Sequence, residues 1–398
     1  MSPTFTALDS ICKSGITIAS DGAEYKSKPF EEEKAVWLLK LIFSEIGEFD
    51  PIDATTNPSL ILAAVSNPEY SFLLDDAVHY AHSRLPGSSV EEQTQLALDY
   101  LVFYYFLSNK TTNRPTPYQL VQVGVHILNI IPGRVSISVD PRLGYDYDAI
   151  MAKSHALVTI LKELDIPQSR ILIKIPATMP GIRAAHKLEA QNIHTNLTLI
   201  FSLVQALACA QAGVAVISPF IGRVKDWWSA RAIQNGIPEG LTNQPLSEHP
   251  GIELVHRIRA AYTKYGHQTQ IMAAGFRKVE EIIELSKAGS KGGADLMTLP
   301  PDLLDGLRQR EGQREPTAGF QAAVETRPEP FYFSVNGPTK EGDAAFKRDS
   351  AQEMISLDKV PEGLAKFSVD ATTLENKVRA KLLSKKSPTS TSILRPKA

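Results

Sequence analysis

The sequence has only two cysteines, Cys12 and Cys209, in 398 residues. That excludes a disulfide framework and a cysteine-based zinc site, and it fits a reducing compartment. Charge of one sign is also lacking. Lys and Arg number 42 against 44 Asp and Glu, a formal net charge of −2. A nucleic-acid binder built on a basic face is therefore not expected. No long apolar run occurs either. The most hydrophobic window, Leu96 to Leu107, is broken by Asp99 and is too short to span a bilayer. No membrane partner is expected. Met1 to Asp9 shows no basic stretch followed by an apolar one, and the final Pro396-Lys-Ala398 is not a peroxisomal address. The expected location is cytoplasmic. A Gly-x-Gly-x-x-Gly turn is missing too, which argues against an open sheet that binds a dinucleotide.

What is present is ordinary globular composition, 43% hydrophobic and 22% charged. Short β-like runs alternate with helical patterns along most of the chain. Eight runs stand out: Ile16–Asp21, Asp53–Asn57, Arg134–Asp140, Ile171–Ala177, His194–Ile200, Val214–Phe220, Gln270–Phe276 and Asp295–Leu299. Helical spacing of apolar residues marks Glu31–Ile46, Tyr147–Leu164, Gly181–Glu189, Ser202–Ala212 and Val279–Ala288. Repeated strand–helix units predict a parallel sheet, and eight of them predict a closed (β/α)8 barrel.

Residues 61–133 hold further helical patterns, including Glu91–Leu107 and Tyr118–Ile131, and read as helices added outside the barrel after its second strand. Residues 311–345, rich in Gly, Pro and charge, read as a long surface connection. Leu357–Leu383 is again helical, a C-terminal helix placed at about 357–384. The expectation is one barrel domain over 1–384, followed by a disordered Ser/Thr/Pro/Lys-rich tail over 385–398.

The most informative residue is Lys174, inside the apolar run Ile171-Leu-Ile-Lys-Ile-Pro176. Strand side chains alternate, so Lys174 shares a face with Leu172 while Ile171, Ile173 and Ile175 point the other way. A buried ammonium is costly, and burial favours the neutral amine that imine chemistry needs. The plain alternative is a lysine at a strand edge that reaches to water. Other strands offer polar groups at similar depth: Asp53, Thr55 and Asn57 on the second, Asn196 and Thr198 on the fifth, and Ser218 on the sixth. Arg223 and Arg277 follow strands six and seven, where two guanidiniums suit a phosphate. Taken singly, the Asn and Thr residues are more often core hydrogen-bonders and turn formers. Their convergence with Lys174 favours a site.

Five blocks in this order resemble the signature motifs of transaldolases: Asp53-Ala-Thr-Thr-Asn-Pro-Ser-Leu60, Ile171-Leu-Ile-Lys-Ile-Pro-Ala-Thr178, Thr195-Asn-Leu-Thr-Leu199, Ile217-Ser-Pro-Phe-Ile-Gly-Arg223 and Met272-Ala-Ala-Gly-Phe-Arg277. The resemblance covers roughly residues 1–310 and extends more weakly to Glu362-Gly-Leu-Ala-Lys-Phe367. It implies a class I aldolase mechanism on sugar phosphates. Lys174 would form a Schiff base with a ketose, and cleavage would leave a dihydroxyacetone unit for transfer to an aldose phosphate. Asn57, Asn196 and Ser218 would hold that unit, and Thr198 would position a water. Thr55 and Phe220 would shape the pocket, and Arg223 and Arg277 would hold the phosphate. No metal or organic cofactor is implied, because the protonated imine is the electron sink.

Two positions depart from the family. Its third-strand glutamate falls on Ser138, and its first-strand aspartate falls on Ser20, with Asp21 one residue later. A one-residue slip turns a strand side chain to the other face, but Asp21 remains the candidate acid/base beside Lys174. Asp140 shares the face of Ser138 but stands two residues further along. Three readings stay open: a transaldolase using Asp21, a lysine-imine aldolase of a specialised pathway, and a weakly active sugar-phosphate-binding paralogue. The inserted helices offer a face for a homodimer, though nothing in their pattern requires one.

Overall fold

The computed structural model describes residues 5–21, 52–66, 72–104, 131–163, 166–289, 293–312 and 328–386. The helical readings over Glu31–Ile46 and most of Tyr118–Ile131, and the tail from 387 on, lie outside these residues.

Eight parallel strands close into a barrel in sequence order. They are β1 (Thr17–Asp21), β2 (Asp53–Thr55), β3 (Val135–Ser138), β4 (Ile171–Pro176), β5 (Thr195–Ile200), β6 (Val216–Pro219), β7 (Gln270–Ala273) and β8 (Leu296–Leu299). All eight expected runs are strands. Several end earlier than the sequence suggests, because Asn57, Asp140 and Phe276 already belong to the loops that leave the barrel. The alternation is as read. Leu172 joins Ala19, Val216, Met272 and Leu296 in a cluster inside the barrel. Ile171, Ile173 and Ile175 join the larger core under the outer helices. A strand buried on both faces reads as a near-continuous apolar run, which is why β4 is so hydrophobic.

The helices are α1 (Ala7–Lys13), α2 (Pro58–Ser66), α3 (Phe72–Arg84), α4 (Val90–Tyr104), α5 (Tyr147–Glu163), α6 (Met179–Glu189), α7 (Leu203–Gln211), α8 (Ile221–Gln234), α9 (Pro250–Tyr265), α10 (Val279–Ser286), α11 (Pro301–Arg308), α12 (Lys340–Glu353) and α13 (Ile355–Lys386). Helices α1, α8, α9 and α11 had no counterpart among the sequence expectations. Thr178 and Ser202 cap α6 and α7 with their hydroxyls. Among the described residues, no helix is long and apolar enough to cross a membrane.

The expected helices after β2 are present as α2, α3 and α4. Their apolar sides are spent within the chain: Ile61, Val65, Leu73, Ala77 and Leu101 pack against Leu374, Val378 and Leu382 of α13. Burying each such leucine or valine contributes about 1.5–3 kcal/mol. That anchors the far end of α13 and fixes its near end over the barrel mouth.

The surface connection expected over 311–345 is wrong at its end. α12 starts at Lys340, with Thr339 accepting from the Gly342 backbone. Tyr332 and Phe333 are buried, and their backbone N–H groups donate to Gln211 of α7 at 2.8 and 2.9 Å. Composition hid this, because a capping threonine and two aromatic anchors outweigh the neighbouring Gly, Pro and charges.

Candidate active site

The C-terminal ends of the strands surround a pocket, as expected for such barrels. Asp21, Asn57, Ser138, Lys174, Thr198, Phe220 and Thr298 line it, and Leu364 and Phe367 of α13 close one side.

Lys174 lies inside the barrel on β4, only 7% exposed. Its Nζ donates to the Thr56 carbonyl oxygen over a long 3.4 Å. Burial holds the amine below its usual pKa, while the charge of Asp21 pulls the other way. A lysine so placed releases its proton more readily, the condition for a nucleophilic amine.

Ser138 is the direct neighbour of Lys174 across the β3–β4 ladder. Its hydroxyl donates to the same Thr56 oxygen at 3.1 Å. Asp140 does not replace the carboxylate missing at this point. Its side chain accepts from the Arg142 backbone at 2.9 Å and grips the Arg142 guanidinium, which in turn pairs with Glu375 on α13.

The parity of β1 decides between Ser20 and Asp21. Ala19 belongs to the interior cluster and Ile18 to the outer core. Asp21 therefore faces inward with Ala19, and Ser20 faces outward with Ile18. Asp21 accepts from the Thr55 hydroxyl at 2.9 Å, and Thr55 is within 3.0 Å of the Thr298 hydroxyl. Thr55 thus lies beneath the pocket lining and holds the carboxylate. Thr298 escaped the sequence reading, although its place inside Asp295–Leu299 was open to the same alternation argument. Asp53 belongs to the opposite end of the barrel, where it pairs with Arg134 at 3.4 Å.

The polar residues of β5 and β6 form a layer below. Asn196 is fully buried, donates to the Ser136 hydroxyl at 2.9 Å and accepts from Ser218 at 2.7 Å. Asn196 and Ser218 therefore satisfy one another under the pocket floor instead of lining it. Asn57 lines the pocket and also caps α2, accepting from the Leu60 backbone at 3.0 Å. Thr198 differs from these, for its Oγ1 is buried and has no hydrogen-bond partner. An unpaired buried hydroxyl is costly and suits a ligand or water that completes it.

The arginines stand at the rim, outside the lining. Arg223, in the first turn of α8, lies 5.6 Å from the Phe220 ring centre and 5.7 Å from that of Phe367. Its Nη1 is buried without a partner. Burial lowers its pKa, Glu362 opposes this, and nearby Arg277 adds to the lowering. A guanidinium with a free donor at a helix N-terminus is suited to an anion. Arg277 is more exposed, and its guanidinium pairs with Asp226 at 3.0 Å. Glycine lets the two approach: a Cβ at Gly222 would lie 2.5 Å from the Gly275 oxygen and 2.8 Å from Arg277 Nε.

The pocket thus holds a buried amine and a held carboxylate, with a guanidinium donor at its rim. Comparison with known proteins shows the family. Residues 36–378 match the family described as transaldolase/fructose-6-phosphate aldolase. A transaldolase of Shewanella sp. (strain W3-18-1) is 38% identical over 337 residues, 85% of this chain and 92% of that protein. Transaldolase 1 of Pectobacterium atrosepticum is 39% identical over 342 residues, 85% of this chain and 93% of its own length. Transaldolase B of Pasteurella multocida is 38% identical over 342 residues with the same coverage. With the barrel, the inward lysine and relatives matched along nearly their whole length, this chain belongs to the transaldolase/fructose-6-phosphate aldolase family.

Proposed function

We propose that the chain is a transaldolase-type transferase that moves a dihydroxyacetone unit between sugar phosphates through an imine on Lys174. The observation that carries this reading is the buried Lys174 amine, with its lowered pKa, sharing one pocket with the inward-facing Asp21.

The chemistry follows from what each group is able to do. Lys174 Nζ adds to the ketose carbonyl, and loss of water leaves an iminium. Asp21 accepts the proton of the hydroxyl two carbons from the imine carbon, and the intervening carbon–carbon bond breaks. The bond's electrons flow into the iminium and leave an enamine on Lys174, while the aldose phosphate departs. Addition of the enamine to an acceptor aldehyde, with the proton returned from Asp21, reverses the cleavage. Water then releases the product. Arg223, with its unpaired donor, is the first anchor for the phosphate, and Arg277 reaches it by leaving Asp226.

Ser138 sets the rate. General acid–base catalysis typically contributes ~10²–10⁴-fold. A serine positions a water but does not cycle protons near neutral pH as a carboxylate does. Forming and hydrolysing the imine should therefore be slow relative to cleavage. A second reading, a lysine-imine aldolase for a different substrate, draws on the same residue: Ser138 would mark a reshaped pocket, and Asp140 is already committed to Arg142.

The test is transfer from fructose 6-phosphate to an aldose phosphate, followed as product formation. Slow turnover that vanishes in Lys174→Ala supports the proposal. Turnover that persists in Lys174→Ala refutes it, and none from the parent or Ser138→Glu favours the second reading.

A further inference from the structure

β5 is not a regular strand. Its register against β6 shifts between Thr198, which pairs with Ser218, and Ile200, which pairs with Pro219. The residue between, Leu199, has φ of 61°, in the left-handed region that a leucine rarely enters. This bulge changes what faces the pocket. In a regular strand, consecutive side chains point to opposite faces, yet Thr198 and Leu199 both line the cavity. Strain of this kind persists only where the surroundings over-determine it.

The surroundings here centre on one side chain. Gln205, in the first turn of α7, is 1% exposed. Its Nε2 donates to the Leu199 carbonyl at 3.1 Å and to the Ala177 carbonyl at 2.9 Å. Its Oε1 accepts from the Phe201 backbone at 2.9 Å. The amide therefore grips the bulge on both sides. It also ties the bulge to the residue that follows the lysine strand, since Ala177 N–H donates to the Thr198 carbonyl at 2.8 Å. No other side chain among the described residues is seen to hold the Leu199 carbonyl. The Thr198 hydroxyl, next to this clasp, is buried without a partner.

We propose that Gln205 is a positioning residue: it holds the strained Leu199 bulge and so keeps the Thr198 hydroxyl directed at the reacting centre next to Lys174. Gln205 touches no substrate in this account and acts only through Thr198 and the ends of β4 and β5. The inference rests on the reading of Lys174 as the imine-forming amine. Misplacing a group by about 1 Å costs around a hundredfold in rate, so the clasp has kinetic consequences.

The test is a kinetic double-mutant cycle with Gln205→Leu and Thr198→Ala. Gln205→Leu should lower kcat by at least about tenfold and leave KM within about twofold. In the Thr198→Ala background, the same substitution should cost little more. A folded Gln205→Leu with unchanged kcat overturns the proposal, and so do two losses that simply multiply. If Gln205→Leu does not fold, Gln205→Glu serves. Its carboxylate repels both carbonyls, but its protonated form restores one donor, so its activity relative to the parent should recover as pH falls. A flat ratio across pH overturns the proposal. Borohydride treatment of the parent chain in the presence of fructose 6-phosphate separates the two levels. No adduct on Lys174 removes the functional reading and this inference with it, whereas an adduct with an indifferent Gln205 removes this inference alone.

Discussion

Ser138 and Lys174 stand side by side on β3 and β4 and donate to one acceptor, the Thr56 carbonyl oxygen, at 3.1 and 3.4 Å. A carboxylate in place of that hydroxyl would offer a proton shuttle and would also favour the ammonium form of the lysine. Serine does neither. The substitution therefore withdraws one catalytic group while leaving burial opposed chiefly by Asp21.

Ser138→Glu tests this directly. The variant should turn over faster than the parent, by about tenfold or more, since a positioned carboxylate is worth ~10²–10⁴-fold at best. The same charge raises the lysine pKa, so the rising limb of the pH–rate profile should move to higher pH. A fall in rate across the whole pH range would indicate a pocket built around the serine for another substrate.

Asp21→Asn should have two opposite signatures. Carbon–carbon cleavage should slow by ~10²-fold or more, because the proton acceptor is gone. The negative charge that favours the Lys174 ammonium is gone as well, so the lysine pKa should drop further. The limb for imine formation then moves to lower pH. Rapid-quench measurement of imine formation and of cleavage separates the two effects.

Lys174→Met should stabilise the fold while abolishing imine formation. The folded-state pKa of Lys174 is lowered, so the unfolded chain binds this proton more tightly. The penalty is full below the folded-state pKa and fades as pH rises toward the unfolded value. Thermal unfolding at pH 7 should show a higher Tm, by about 1 °C per kcal/mol for a chain of this length. At strongly alkaline pH the difference from the parent should narrow.

Lys174 was legible in the sequence because an ammonium among isoleucines has few reasons to be there, and because alternation alone put it beside Leu172. The eight strands were legible for the same reason. Asp21 was harder. Aligned residue for residue, the family's carboxylate falls on Ser20, and only the packing of Ala19 inside and Ile18 outside settles which neighbour faces the pocket. The grip of Gln205 on Leu199 left no trace in hydrophobic periodicity, since a bulge and a left-handed leucine are set by contacts between separate elements. The hydrogen bonds of the lower layer were not legible: Asn196 and Ser218 face inward as expected, with Ser218 donating to Asn196 and Asn196 donating to Ser136.

Arg223→Gln should weaken binding of phosphorylated ketoses far more than of dihydroxyacetone. A charged hydrogen bond is worth about 1.5–3 kcal/mol, so KM for the phosphorylated substrate should rise roughly 10–100-fold. Arg277→Gln should cost less, because Asp226 already occupies its guanidinium. Equal losses for phosphorylated and unphosphorylated substrates would remove the phosphate from this rim.

Borohydride trapping with fructose 6-phosphate, followed by peptide mass spectrometry, bears most directly on the central claim. The account predicts a three-carbon adduct on Lys174, the mark of an imine that has formed and been cleaved. A six-carbon adduct would contradict the cleavage step assigned to Asp21. Ketose phosphate that binds measurably yet leaves Lys174 unmodified would contradict the imine itself.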